Sequence, residues 1–522
     1  MSLNESLDKL RLIDRECRHL ERVVALLQWD QETYLPARGV GERADQLALM
    51  EGLLHTRLTS AETGRLLGEL GSVPDNPKGD EKLSALDRDF LKVLRRNYDR
   101  ALKLPLDFVS EAARAEGLSQ AAWVKARKEN RFEDFLPHLT KMIDLSCKRA
   151  HYWGYKDNCY DGLLDIYEPG MGVDEISRLF NPLGERLSRL IKRISSESSY
   201  AAKAAGDASP KDASFLNADF DPRSQAAFAS VLMERLGFDK SRGRIDVSAH
   251  PFCTTLGSDD IRITSRYLER QICSGIFSVI HESGHAFYEL GFPKELRGSC
   301  LADGASMGIH ESQSRLWENV IGRSRPFCLN LFPLLKEHFP DKMAGTCFDD
   351  FYRAINRVEA SLIRVEADEV SYSLHIILRF ELEKALFQGT LDPAALPELW
   401  RSKMKEYLGI EPQSDDVGVL QDIHWSMGGF GYFPSYALGN LYGLQFWEKL
   451  ISDIPSIEED IARGHFKPVH DWLGDNIFVW GRRLEPGELL KKVTGNSISF
   501  EPFLNYIETK YTGLYEIQLL KA

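Results

Sequence analysis

Apolar residues recur at intervals of three and four along most of this sequence, and this spacing constrains the fold more than any other feature. Near the N-terminus it runs through Leu10, Ile13, Cys17, Leu20, Val24 and Leu27. Such a stripe predicts an amphipathic helix that packs against its neighbours, with a coiled coil to a partner chain as the weaker alternative. The ranges 84–104 and 110–155 show the same helical spacing. A mostly α fold is therefore expected.

Strand patterns occur in a short region before residue 270. Residues 260–267 alternate between apolar and polar types, and residues 244–248 could pair with them, which predicts a small sheet of about three strands. Turn-forming residues cluster at 73–79 and 205–210, and the Ala- and Ser-rich tract at 194–214 is expected to be the most mobile. Without a tandem repeat or a long linker, the sequence predicts one large helical domain over 1–522.

Charge and cysteine content narrow the classes of function. A formal net charge of −13 argues against a nucleic-acid-binding or anionic-membrane surface over the whole molecule. No apolar run reaches the roughly 18–20 residues that cross a bilayer. The first residues lack the basic and apolar regions of a secretory signal, and the eight cysteines form no Cys-x-x-Cys pair. We therefore expect reduced thiols and a location in the cytoplasm.

The pattern His281-Glu282-x-x-His285 is the strongest functional signal in the chain. Two histidines four residues apart lie on one helical face, so both imidazoles can reach one metal ion. Glu282 lies about 100° further round the helix, where it can reach a metal-bound water without ligating the ion. Apolar flanks and a Gly-x-Pro stop predict a buried helix over about 274–290. The alternative is a pair of core histidines.

A catalytic zinc site usually has three protein ligands and an open fourth position. Tyr288 and Gly291 stand where the metzincin type needs its glycine and third histidine, which excludes that type. A glutamate 20 residues past the second histidine is also excluded, because that residue is Ala305.

The next predicted helix, over about 308–321, offers two acidic candidates for the third ligand. Glu311 lies off the apolar stripe of this helix, and a helix–loop–helix return could bring it to the metal; Glu318 competes with it. Glu289 and Glu295 are weaker choices, because both lie too near the first helix to complete a tetrahedron.

Six ordered patches of the sequence form a recognisable set. They are His250-Pro-Phe252, Asp260-x-Arg-x-Thr264, His281-Glu-x-x-His285, His310-Glu-Ser-Gln313, Ile363-Arg-x-x-Ala-Asp368 and Gly418-x-x-Gln-Asp-x-His-Trp425. With these patches the chain resembles a known family, the M32 metallocarboxypeptidases of the carboxypeptidase Taq type. The opening Trp29-Asp-x-x-Thr33 is also similar to that family, although Leu35 stands where methionine is more usual.

This resemblance implies both a site and an architecture. It implies His281, His285 and Glu311 as the metal ligands and Glu282 as the general base. It also implies a nearly all-helical fold with a deep substrate groove, and a homodimer. Two imidazoles and a carboxylate suit one Zn²⁺ per chain, although Co²⁺ and Mn²⁺ also bind such sets.

Peptide hydrolysis needs further groups that the sequence offers in the Gly-rich stretch 422–436. The oxyanion that develops in the transition state needs a donor besides the metal, and His424, Tyr432 and Tyr436 are the candidates. The alternative for each tyrosine is an ordinary packed aromatic ring.

Recognition of a free C-terminal carboxylate favours arginine, whose planar guanidinium binds carboxylates through two bonds. Arg364 is the first choice and Arg262 is its rival; either could instead form an ion pair with a neighbour such as Asp368 or Asp260. The strand of Arg262 could also offer an edge to the peptide. His250 is expected to bond the substrate backbone or to lie in the core.

The hypothesis is a metal-dependent carboxypeptidase of broad specificity that acts on peptides with a free C-terminus. One alternative is a groove-bound oligopeptidase that cuts internal bonds by the same chemistry. The other is a helical binding scaffold with a structural metal site or none. A structural zinc site is usually closed by a fourth ligand, often Cys, and no cysteine lies within a helical turn of the histidines.

Overall fold

The computed structural model describes residues 2–155, 158–197 and 213–518. Most of the tract expected to be mobile, including the turn-rich stretch 205–210, lies outside these ranges. The helices are α1 (Leu3–Thr33), α2 (Val40–Leu58), α3 (Ala61–Glu69), α4 (Ala85–Leu102), α5 (Leu106–Glu129), α6 (Phe132–Trp153), α7 (Cys159–Tyr167), α8 (Val173–Glu197), α9 (Pro222–Arg235), α10 (Ile272–Gly291), α11 (Met307–Arg315), α12 (Arg325–His338), α13 (Phe348–Ile355), α14 (Tyr372–Phe387), α15 (Leu396–Leu408), α16 (Pro434–Asp453), α17 (Ile457–Ala462), α18 (Lys467–Asn476), α19 (Pro486–Thr494) and α20 (Glu501–Tyr515).

Side-chain caps explain where several helices begin. At α1, Ser2 and Glu5 form a reciprocal capping box. The Ser84 hydroxyl accepts from the Asp87 amide at the start of α4, as expected for the helix predicted over 84–104. The range 110–155 contains two helices rather than one, because Asn130 adopts a left-handed conformation with φ of 53° between α5 and α6.

The sheet lies immediately before α10 in the chain. Its order is β1 (Gly243–Val247), β3 (Asp260–Ser265), β2 (Cys253–Gly257), with β3 parallel to β1 and antiparallel to β2. Within β3, Ile261 and Ile263 are fully buried and face α10. Because β3 is the central strand, the expectation that it offers an edge to a peptide is wrong; the edges are β1 and β2.

Two buried clusters hold these elements together. The larger surrounds α10, α11, α14 and α16. The smaller joins α1, α3 and α4 and contains Leu10, Ile13 and Cys17 from the N-terminal stripe, while Leu20, Val24 and Leu27 are half-buried. The prediction of a mostly α, single-domain fold with a small sheet beside the helix of the two histidines is confirmed.

Among the described helices, none is both long enough and apolar enough to cross a lipid bilayer.

Candidate metal centre and active site

Helix α10 presents His281 and His285 one turn apart. Its other faces are buried against β3 and the main core, which fixes the helix over its whole length. The centroids of the two imidazole rings are 4.9 Å apart. The four-residue spacing therefore produces the pair of converging rings that it predicts.

Helix α11 lies between α10 and α16, and glycines allow the three backbones to approach closely. A Cβ atom on Gly284 of α10 would lie 2.6 Å from the Gln313 carbonyl oxygen. On the opposite side, a Cβ on Gly439 of α16 would lie 2.6 Å from Cγ of Glu311. The position of Glu311 is thus set by close contact of α10 with the backbone of α11 on one side and of α16 with the Glu311 side chain on the other.

Glu311 faces both histidines. Its Oε2 atom lies 3.7 Å from Nε2 of His281 and 3.4 Å from Nε2 of His285. One ligand atom from each residue falls within 4.8 Å of the other two, and within the described residues this is the one such set found. Two imidazole nitrogens and one carboxylate oxygen form a donor set that fits a divalent cation with an open position.

A short π-helix (Leu316–Ile321) continues α11 and brings the competing acid to a different place. Oε2 of Glu318 lies 2.8 Å from Nδ1 of His281, the ring nitrogen that faces away from Glu311. A carboxylate there orients the imidazole and fixes its tautomer. Glu318 is therefore placed to orient His281, whereas Glu311 lies with both histidines in the set that could hold an ion. The region expected as one regular helix over about 308–321 changes geometry after Arg315.

His285 has an equivalent support. Its Nδ1 atom lies 2.7 Å from Nδ1 of His310, so one of the two rings donates to the other. Nε2 of His310 lies 2.9 Å from Glu289, whose second oxygen accepts from the Thr255 hydroxyl of β2 at 2.9 Å. This row of contacts ties the ligand to the sheet. Glu289, weighed above as a ligand, lies two contacts away from His285, and Glu295 is exposed.

Electrostatics keep two of the three candidate ligands, Glu311 and His285, in the states that bind cations. Burial alone would raise the pKa of Glu311, but Arg315, 2.7 Å away, and the nearby His281 hold it well below its usual range. Burial lowers the pKa of His285 to about 3, and His310 acts in the same direction. Glu282 is almost completely buried, and burial raises the pKa of its carboxyl to about 7.

A chain of contacts leads from Glu311 to a second charged group. The Arg315 guanidinium carbon lies 4.0 Å from the centroid of the Tyr372 ring. The Tyr372 hydroxyl accepts a hydrogen bond from Arg364 at 3.2 Å. Arg364 and the fully buried Arg379 share one carboxylate, that of Asp422, at 3.0 Å and 2.7 Å. Two guanidinium groups and one carboxylate leave this buried cluster with one excess positive charge.

The three predicted oxyanion donors lie beside this cluster. Nε2 of His424 is 3.3 Å from the Tyr436 hydroxyl, and the rings of Tyr432 and Tyr436 pack edge to face at 5.1 Å. Arg364 lies 5.0 Å from the Tyr436 ring. Burial lowers the pKa of His424 to about 4, so this imidazole is neutral at pH 7 and can donate one hydrogen bond.

Comparison with known proteins shows the family of the chain. Residues 9–511 match the family model described as carboxypeptidase Taq (M32) metallopeptidase. The chain is 40% identical to thermostable carboxypeptidase 1 of Thermus thermophilus, over 96% of this chain and 97% of that protein. The chain belongs to the M32 family of metallocarboxypeptidases. It is therefore a peptide hydrolase, and its family implies a divalent metal ion.

Further relatives share both sequence and fold with this M32 chain. Carboxypeptidase 1 of Bacillus subtilis is 38% identical, over 95% of this chain and 96% of that protein. The crystal structure of the M32 carboxypeptidase from Deinococcus radiodurans R1 superposes with a TM-score of 0.92 at 36% identity, covering 98% of this chain and 100% of the other.

In this M32 carboxypeptidase, one buried acid holds the segment that carries the predicted donors. Glu383 of α14 accepts hydrogen bonds from the Trp425 indole at 2.7 Å, the Gly431 amide at 2.8 Å and the Tyr160 hydroxyl at 2.6 Å. Burial raises the pKa of Glu383 to about 7, although these bonds oppose the shift. The acid connects α7, α14 and the stretch between His424 and Tyr432.

Arg262 of β3 and His250, which lies in the loop between β1 and β2, were both predicted to bind substrate and lie in different surroundings. Arg262 forms a two-point ion pair with Asp260, at 2.9 and 3.0 Å, and its guanidinium carbon lies 4.3 Å from the centroid of Trp29. This is the ion-pair alternative considered for it, on the face of the sheet opposite Ile261. His250 is exposed, so its placement in the core is wrong.

Several residues of the M32 site were missed by sequence reasoning. Arg315 stands four residues after Glu311, a spacing that predicts an ion pair on a helix. Arg364 pairs with Asp422 rather than with Asp368, which caps the turn before α14 by accepting from the amides of residues 370 and 371. Asp422 lies 58 residues from Arg364, and local spacing gives no signal for such a pair.

Proposed function

We propose that His281, His285 and Glu311 hold one divalent ion, Zn²⁺ before Co²⁺ or Mn²⁺, and that the site removes single residues from the C-terminus of peptides with broad specificity. The observation that carries the proposal is the excess positive charge of the buried Arg364–Asp422–Arg379 cluster. It is joined to Glu311 through Tyr372 and Arg315. The positive charge of this arginine cluster provides the point at which the C-terminal carboxylate of a peptide binds.

Glu282 acts as general base and then as general acid. When bound, the divalent ion supplies Lewis-acid polarisation of the scissile carbonyl and lowers the pKa of water. Glu282 accepts the proton of the attacking water and passes it to the leaving amine. Its position next to His281 on α10, buried beside the ligand set, supports this role.

Arg364 binds the terminal carboxylate of the substrate. Its guanidinium already donates to Asp422 and Tyr372, which hold its plane in one orientation. Arg379 also donates to Asp422 and offsets the charge of that acid, so Asp422 does not cancel the attraction of Arg364 for an anion. Burial lowers the pKa of His375 to about 3 and leaves this neighbour neutral, so the net charge of the cluster stays positive.

His424, Tyr432 and Tyr436 donate hydrogen bonds to the oxyanion or to the substrate backbone. Burial raises the pKa of Tyr432 well above its usual value and keeps its hydroxyl protonated, the form that donates. Donors fixed in place before the reaction stabilise developing charge without reorganisation.

Arg364→Ala tests the proposal, with Arg463→Ala as the matched control on an exposed helix end. We expect kcat/KM on free-acid peptides to fall by about 10²-fold or more, because a charge-assisted pair is lost, with metal content unchanged. The wild type should cleave C-terminally amidated peptides poorly, and Arg364→Ala should reduce that difference. Equal cleavage of free-acid and amidated peptides by the wild type would contradict the role of Arg364.

Product mapping by mass spectrometry separates exopeptidase from oligopeptidase action. Ladders that lose single C-terminal residues support the proposal, whereas internal fragments support the groove-bound oligopeptidase. A Glu282→Ala variant that keeps full peptidase activity would show that the catalytic assignment of Glu282 is wrong. A purified wild type that binds no metal and cleaves no peptide would favour the binding scaffold.

The remaining expectations concern assembly and location. The resemblance to the family favours a homodimer, which sedimentation of the purified enzyme tests directly. The cysteines resolved in the structure are all free, which suits a reducing compartment, and we place the enzyme in the cytoplasm.

A further inference from the structure

Two cysteines lie side by side at the junction of α6 and α7. Cys147 is on α6, Cys159 is the first residue of α7, and their Sγ atoms are 3.5 Å apart. Both thiols are free, and both residues are half-buried rather than enclosed in the core. A disulfide has an S–S distance of about 2.05 Å, so the two sulfurs need to approach by only about 1.5 Å.

The two thiols are chemically unequal. A hydrogen bond from Cys147 lowers the pKa of Cys159, although burial opposes the shift. The same bond, with burial acting in the same direction, raises the pKa of Cys147. Cys159 also follows the cap residue Asn158 at the N-terminus of a nine-residue helix, where a thiolate is favoured. Cys159 is therefore the better nucleophile, and Cys147 lies within reach of it.

We propose that Cys147 and Cys159 form an oxidation site for small peroxides, at which the pair becomes an intrachain disulfide. The Cys159 thiolate attacks one oxygen of hydrogen peroxide; the O–O bond breaks, and hydroxide leaves and takes up a proton. The Cys147 sulfur then attacks the resulting sulfenic sulfur, its thiol proton goes to the departing hydroxide, and water leaves. Two thiols are oxidised to one disulfide, and one peroxide is reduced to two waters.

The crosslink would tie α6 to a helix that reaches the active site. Tyr160, the residue after Cys159, donates to Glu383 at 2.6 Å. Just beyond the other end of α7, Glu168 accepts from the Gly308 amide in the first turn of α11 at 3.1 Å. The disulfide would therefore restrict the movement of α7, which contacts both the acid that holds the 424–432 segment and the helix that carries Glu311. Neither cysteine is among the proposed catalytic or binding residues.

The test uses the full-length, metal-loaded enzyme exposed to hydrogen peroxide, alkylated and digested with trypsin. The expected product is a crosslink between peptides 142–148 and 157–178, lighter by two hydrogens than their sum, with two fewer alkylated thiols per chain. The exposed Cys347 reports the peroxide dose. Recovery of both peptides alkylated, or each carrying its own sulfinic acid, at a dose that consumes Cys347 overturns the proposal.

Variants assign the two roles. In Cys147→Ser, Cys159 should accumulate as a sulfenic acid that a dimedone-type reagent traps; in Cys159→Ser, Cys147 should stay a thiol, and Cys347→Ser should still form the crosslink. Closing this loop should raise the thermal midpoint of the oxidised enzyme by about 2 °C, a shift that both single variants lose. A reactive Cys147 in Cys159→Ser would refute the assignment of the nucleophile.

Discussion

Gly439 and Glu311 are packed so closely that a methyl group on the glycine would lie 2.6 Å from Cγ of the glutamate. The absence of a side chain on α16 is therefore part of what places a ligand candidate on α11. The contact involves the side chain of Glu311 itself, at 2.6 and 2.8 Å to Cγ and Cβ, so it cannot be relieved by a distant flexible group.

Gly439→Ala should weaken metal binding, because the new methyl group must displace Glu311 or separate the helices. Overpacking of this kind costs about 1–3 kcal/mol, which corresponds to a loss of metal affinity of about 5- to 150-fold if all of it falls on the metal-bound state. Competition with a chelator measures it. Gly513→Ala on α20, where no atom lies within 4 Å of the new Cβ, is the control. If Gly439→Ala bound the metal as tightly as Gly513→Ala, the site would accommodate the methyl group without loss of metal affinity, which would contradict the prediction.

Glu282→Gln should keep the metal and lose the reaction. The amide has nearly the size of the carboxyl group but cannot accept a proton, so kcat should fall by about 10²- to 10⁴-fold. Metal content, measured on the same preparation, should match the wild type. Glu295→Gln changes an exposed glutamate close in sequence and should leave both quantities unaltered. Loss of metal from Glu282→Gln would instead assign Glu282 to binding.

Removal of single hydroxyls should distinguish the proposed donors. If Tyr436 donates to the oxyanion, Tyr436→Phe lowers kcat by about 10²- to 10³-fold with little change in KM, and Tyr432→Phe lowers kcat less. If Tyr432 is the donor instead, Tyr432→Phe has the larger effect on kcat. Tyr167→Phe removes a hydroxyl from a ring that packs edge to face on Tyr432 at 5.1 Å, so it controls for packing. Unchanged kcat in both variants would leave His424 as the donor.

Glu383→Gln should change how stability depends on pH. The pKa of Glu383 rises from 4.5 to about 7 on folding, so its contribution is fully present below pH 4.5 and is lost as the pH rises through 7. The contribution lost is roughly 3 kcal/mol. The variant should therefore be more destabilised relative to wild type at pH 5 than at pH 8, as thermal midpoints can measure. A difference independent of pH would contradict the raised pKa.

Local spacing predicted the parts of the site that lie on one helix, and little beyond them. Four-residue spacing was enough to place His281 and His285 on one face, because helical geometry is fixed by sequence separation. The same spacing left Glu311 and Glu318 as rivals, and it was the resemblance to the family that favoured Glu311. Contacts such as that of Arg364 with Asp422 depend on how distant segments pack, and the sequence around either residue does not indicate its partner.

The π-helix after Arg315 constrains the number of residues in this segment as well as their identity. Each residue of an α-helix turns the chain by about 100°, so deleting Leu316 or Trp317 would rotate Glu318 away from His281. A substitution alters one side chain, whereas a deletion reorients every residue that follows it until the next loop. During divergence, this segment should accept many changes of composition before it accepts a gap.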